Sequence, residues 1–165
     1  MKAIFIGIDG ILNTWPGEMD PEKVERLNVI TRATGAVVVV YSHHRYLGDM
    51  DHTLKRAGVE ATVEPASTGK ITSLGRGGWC VMPNNYDAWA AGMPSRVERA
   101  VAIQRWLDEH PTVERFAIVS AMGDLGHFTG RPEVVSVNRH VGLTDEDVAR
   151  AVALLGPGSP AEVRP

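Results

Sequence analysis

The chain has 165 residues, enough to bury a core without disulfides or structural metals and of a size that fits one domain. Seventeen basic against twenty acidic residues leave a formal charge of −3 at pH 7, which argues against a broad electrostatic footprint for DNA, RNA or an anionic membrane but allows a local basic pocket. The lone Cys80 excludes an internal disulfide framework and a cysteine-based zinc site, and the longest apolar run, residues 36–40, is too short to span a bilayer. The expectation is a soluble, cytoplasmic protein with no nucleic-acid or membrane partner.

In chain order, Ile4-Phe5-Ile6-Gly7-Ile8-Asp9-Gly10 reads as a buried strand that stops in a turn. Pro16 and Gly17 mark the loop beyond it. Asp20 caps a helix with Pro21 at its first position, Val24, Leu27 and Ile30 on one face, and Gly35 at its end. The β-branched run Ala36 to Tyr41 suits a parallel strand covered on both faces. Asp49 to Ala57 reads as a short helix closed by Gly58, and Val59 to Val63 as a third strand. Residues 64–94 lose all periodicity and suggest a lid-like insertion, a loop or small hairpin carrying Trp79 and Trp89. Ser95 and Glu98 form a capping box for a helix reaching about His110, with Val97, Val101, Ile103 and Leu107 as its apolar side. Phe116 to Val119 and Val134 to Val137 are further strands, and Thr144 with Asp147 opens a last helix that Gly156 ends. A single domain over 1–156 and a disordered tail over 157–165 are expected.

The strand ending in Gly7-Ile8-Asp9-Gly10 resembles the first motif of the haloacid dehalogenase (HAD) superfamily, Asp-x-Asp-Gly. In that family the first Asp attacks a phosphoryl group and the second acts as acid and base. Here Gly7 stands in the first position and Asp9 in the second. Tyr41-Ser42-His43-His44-Arg45 resembles the second motif, in which the Ser42 hydroxyl would hold a phosphate oxygen. Arg99, with Lys70 as rival, resembles the third-motif basic residue. The strand ending at Ser120-Ala121-Met122-Gly123-Asp124 resembles the fourth, where the family has paired Asp residues for Mg²⁺. The resemblance runs on to Val141-Gly142-Leu143-Thr144 and the helix that follows. It implies an α/β fold, a three-layer αβα Rossmann-like domain with a mostly parallel sheet. With Gly7, Ser120 and Ala121 in place of carboxylates, the phosphatase nucleophile and the Mg²⁺ site are expected to be lost, leaving no cofactor. Replacements confined to the pocket suggest a site rebuilt by engineering or, alternatively, a natural pseudoenzyme.

Three activities follow as expectations. Ser120 and His43 or His44 reach one rim, as a Ser-His ester hydrolase requires, with Asp9 or Asp124 orienting the imidazole and N–H groups near Gly123 holding an oxyanion. Gly7, Tyr41, Ser42, Ala121, Met122, Gly123, Asp124 and Arg99 would line the pocket. A second reading is a binding pocket for a small aromatic ligand, lined by Tyr41, Met122, Trp79 and Trp89. A third is a residual phosphohydrolase that uses Asp9 as nucleophile. The oligomeric state is left open.

Overall fold

The computed structural model describes residues 1–14, 18–41, 50–64, 96–123 and 125–158. Five strands form one parallel sheet in the order β3-β2-β1-β4-β5: β1 (Lys2–Ile6), β2 (Val37–Val40), β3 (Val63–Glu64), β4 (Arg115–Ser120) and β5 (Val134–Ser136). The helices among the described residues are α1 (Pro21–Thr34), α2 (Met50–Arg56), α3 (Arg96–Glu109) and α4 (Asp145–Leu155), with a 3₁₀ turn at Gly126–Phe128. Among the described residues no helix is long and apolar enough to cross a membrane.

Alternation along the strands builds the three layers. Successive side chains of a strand point to opposite faces, so both faces of a strand buried in the middle of a sheet must be apolar. Ile4, Ile6, Val38, Val40, Ala117 and Val119 pack on one face against Val24, Leu27 and Ile30 of α1, Leu54 of α2, and Ala151 and Leu155 of α4. Ala3, Phe5, Val39 and Ile118 face the other way, against Ala100, Ile103 and Trp106 of α3 and against Phe128. Phe5 is the centre of this second layer. Its ring meets Trp106 edge-on at 5.3 Å and Phe116 at 6.1 Å, the arrangement aromatic quadrupoles favour.

The helix termini obey local chemistry. Asp20 accepts from the Glu22 N–H at 2.9 Å and Pro21 begins α1. Gly35, at φ 69°, ends the helix in the left-handed conformation. Thr144 and Asp147 make the reciprocal capping box of α4. The capping box expected from Ser95 and Glu98 lies outside the described residues.

Two expectations need correction. The third strand does not begin at Val59. Asn28 of α1 clamps the linker instead, donating to Gly58 O at 2.9 Å and accepting from the Glu60 N–H at 3.0 Å, while the Val59 N–H is used by Leu54 O. With those groups committed, pairing to β2 starts only at Val63, opposite Val38. In helix α3, Val101 is 47% exposed rather than inward, while Ile103 is buried as expected beside Ala100 and Trp106 and Leu107 packs against them. At the other end of the sheet, the Gly158 N–H donates to Ala33 O at 2.9 Å and Lys2 Nζ to Gly156 O at 3.0 Å. Most of residues 64–94 and residues 159–165 lie outside the described residues.

Phe5 is completely buried against two other rings. Phe5→Ala is expected to lower the unfolding free energy by about 3–5 kcal/mol, read from the midpoint of a urea titration with the slope unchanged.

Candidate functional site

Winding fixes where a ligand can sit. From β1 the chain lays β2 and β3 to one side, then returns to place β4 and β5 on the other. In open parallel sheets the crevice forms where the direction of winding reverses, outside the C-terminal strand ends. Here that point lies between the ends of β1 and β4, and it brings together Gly7 to Asp9 and Ser120 to Gly123.

The turn after β1 is held by its own residues. Ile8 O accepts from the N–H groups of Ile11 and Leu12 at 3.2 and 3.0 Å. Asn13, buried, works in both directions: its Oδ1 accepts from the Gly10 N–H at 3.0 Å and its Nδ2 donates to Asp9 Oδ1 at 3.1 Å. One carboxylate oxygen of Asp9 is thereby fixed in direction. Gly10 has φ 73°, and a Cβ there would lie 3.0 Å from Arg139 Cα and 3.1 Å from Ala121 Cβ. Only glycine allows three loops to come this close.

Gly7 leaves a gap that Tyr41 borders. A Cβ on Gly7 would lie 3.3 Å from Ile11 Cδ1 and 3.7 Å from the Tyr41 hydroxyl oxygen. Tyr41 is 3% exposed and packs in the Phe5 layer, so it forms part of the floor rather than the wall of an open cavity. Its hydroxyl donates to Val119 O at 3.1 Å, tying the end of β2 to β4 beneath β1. Burial pushes the phenol up to about 12, opposed by hydrogen bonding with Ser120 and by the charge of Arg99.

Arg99, in the first turns of α3, is 8% exposed at this same edge. Among the described residues no carboxylate lies within ion-pair distance of its guanidinium. Ser120, the last residue of β4, is 2% exposed, and its hydroxyl is engaged: it donates to Met122 O at 3.0 Å and accepts from the Met122 N–H at 3.1 Å. This closed turn directs the Ser120 proton to a carbonyl. Ala121 is half-buried, and Met122 and Gly123 are exposed.

Of the residues singled out from the sequence, Gly7, Asp9, Tyr41, Arg99, Ser120, Ala121, Met122 and Gly123 thus belong to one edge of the sheet. Ser42, His43, His44, Asp124, Lys70, Trp79 and Trp89 lie outside the described residues. Two contributors were missed. Asn13 was open to discovery, since an Asn four residues after Asp in a turn is suited to bonding back to it. Arg139 carries no local signal, because only the fold brings it over Gly10.

The Tyr41 hydroxyl predicts a pH dependence. Its folded pKa of about 12 exceeds the ordinary 10.0, so the folded state holds its proton more tightly. The associated stability is fully present below pH 10 and lost as pH rises through the folded value, a span worth roughly 2–3 kcal/mol. Tyr41→Phe is expected to flatten that loss relative to the native chain, measured by guanidinium unfolding at pH 9 and pH 11.5. At pH 7 the substitution should cost about 1 kcal/mol for the hydrogen bond to Val119. A second substitution probes the gap itself. Gly7→Asp would press a carboxylate against Ile11 and Tyr41 and should destabilise by about 1–3 kcal/mol, with Tyr41→Ser recovering part of the loss in thermal melts.

No curated protein and no solved structure matches the chain. A scan against protein-family models matches residues 3–148 to a family described as "HAD domain in Swiss Army Knife RNA repair proteins". That span begins in β1 and ends in α4, taking in all five strands and the edge on which Asp9, Arg99 and Ser120 meet. The chain belongs to this family of HAD domains.

Proposed function

We propose that this protein is a phosphotransfer-silent HAD domain that holds a phosphate-bearing end, in keeping with a family described by RNA repair, without cleaving it. The observation that carries the reading is the buried Arg99 guanidinium, which has no carboxylate in ion-pair distance among the described residues, at an edge where Gly7 offers no nucleophile. A buried cation without a counter-charge is costly, and an anion in the crevice offsets that cost.

The chemistry of phosphoryl transfer asks for more than this edge supplies. An in-line attack needs a nucleophile and a cation to neutralise the phosphoryl oxygens. Gly7 has no side chain, and the Tyr41 hydroxyl and the Ile11 methyl group border the space a carboxylate would need. A Mg²⁺ ion wants several hard oxygen ligands. Ala121 offers none from its side chain, the Ser120 hydroxyl is taken by Met122, and Asp9 is the carboxylate that remains at these strand ends among the described residues. Among the described residues no three His, Cys, Asp or Glu side chains gather as a metal centre requires. The described residues at this edge therefore do not supply the set of oxygen ligands that the metal wants. These pocket residues read as those of a pseudoenzyme, whether reached by descent or by design.

Ser-His ester hydrolysis is the competing reading. It requires Ser120 Oγ to release Met122, become accessible and meet an imidazole. A small aromatic ligand would likewise need room that Tyr41 takes from the floor.

The test joins binding to turnover. Isothermal titration should show the native chain binding inorganic phosphate, and Arg99→Met, checked for folding by its thermal melt, should bind roughly ten-fold more weakly or worse. Aryl phosphate with Mg²⁺ should show no turnover above background, and a fluorophosphonate should leave Ser120 unmodified. Turnover lost in Asp9→Asn would instead establish a phosphohydrolase, and labelling of Ser120 an acyl-transfer enzyme.

A further inference from the structure

The loop after β5 is built as tightly as the turn it covers. Asn138 O accepts from the N–H groups of Val141 and Gly142 at 2.9 and 2.8 Å, and Asn138 Oδ1 accepts from the His140 N–H at 3.0 Å. Gly142, at φ 80°, lets the chain turn under the Lys23 side chain. The Leu143 N–H then donates to Ile11 O at 3.0 Å, docking the loop on the turn that carries Asp9. This network leaves Arg139 and His140 exposed. Arg139 Cα stands over Gly10, and Ala121 borders the same point.

Arg139 is a guanidinium that the protein itself does not neutralise among the described residues. No carboxylate there lies within ion-pair distance of it, as is also true of Arg56, Arg105, Arg115 and Arg150; what distinguishes Arg139 is its place over Gly10. Across Gly10 from its Cα lie Ala121 and the backbone of the turn after β1. Arg99 stands at the same sheet edge but on α3, which covers the opposite face from the α1 side where the Asn138–Leu143 loop docks. Two arginines from different elements, on opposite faces of the sheet, thus have their backbones near the strand end of β1.

We infer that Arg139 supplies, as a permanently charged side chain, the positive charge that a bound divalent cation would otherwise provide, making this edge a metal-independent seat for the terminal phosphate of an RNA strand. This rests on the phosphate-binding reading proposed above and adds to it the source of charge and the kind of ligand. A planar guanidinium donates two parallel hydrogen bonds to phosphate oxygens, and it binds without chelators or metal supply affecting it. The exposed His140 ring beside it offers a stacking surface to the terminal base. A net charge of −3 disfavours tracking along a backbone, so recognition is confined to the end of the strand.

The test measures binding of a short single-stranded RNA carrying a terminal phosphate, at either end, against the same RNA ending in hydroxyls, by fluorescence anisotropy in EDTA and again with Mg²⁺. The phosphorylated RNA should bind equally in both buffers and compete with inorganic phosphate. Arg139→Gln should weaken it roughly ten-fold, with Arg139→Lys intermediate and the melting temperature unchanged. Binding that appears only with Mg²⁺ overturns the inference. So does an Arg139→Gln chain that binds as the native one while Arg99→Met does not, an outcome that leaves the phosphate-binding reading standing. Equal affinity for phosphorylated and hydroxyl-ended RNA overturns end recognition. Failure of the native chain to bind inorganic phosphate or RNA in either buffer overturns both readings.

Discussion

Everything at the ligand edge depends on how closely three pieces of backbone pass one another at Gly10. The turn after β1, the loop after β4 and the loop after β5 meet within ordinary contact distance, and a single methyl group at Gly10 would drive them apart. Such an approach is possible because β1 lies between β2 and β4, with Ala3, Ile4, Phe5 and Ile6 fully buried. A strand so enclosed cannot shift to relieve pressure at its end. The site is therefore rigid at its base, and its chemistry is decided by which side chains the three loops present.

Those side chains form a consistent set. Where β1 ends without a carboxylate, a tyrosine from β2 comes up to the gap and sends its proton to the carbonyl of Val119. At the end of β4, a serine hydroxyl turns back on the following residue. The cations stand at the periphery, one buried on α3 and one exposed over Gly10. Neutral groups, the Asp9 carboxylate held by Asn13 and two arginines thus share this edge.

Much of the architecture was legible along the chain because it is written in local rules. The β-branched runs, the Asp20-Pro21 start and the Thr144/Asp147 box each name their element without reference to the rest. The third strand was misplaced for a reason no local pattern contains: Asn28, some thirty residues earlier, takes the backbone groups that Glu60 and Gly58 would otherwise lend to a sheet. The site divides in the same way. Gly7, Asp9, Arg99 and Ser120 were found because their order and spacing resemble family motifs. The inward burial of Tyr41 depends on a hydrogen bond spanning 78 positions, and Arg139 on the packing of two glycine-dependent loops. Spacing along a chain carries neither.

The opposite edge of the sheet has its own consequence. The amino group of Met1 donates to Thr112 O, Lys2 reaches the carbonyls of Gly156 and Pro157, and Gly158 bonds to Ala33 at the end of α1. Residues 1 and 158 are thus fastened to the same base, at the N-terminal ends of the strands, with the full length of the sheet between them and the ligand edge. The hydrogen bonds that close this base are therefore separate from those that shape the turn at Gly10, and a substitution at one end of the sheet leaves the bonds of the other in place.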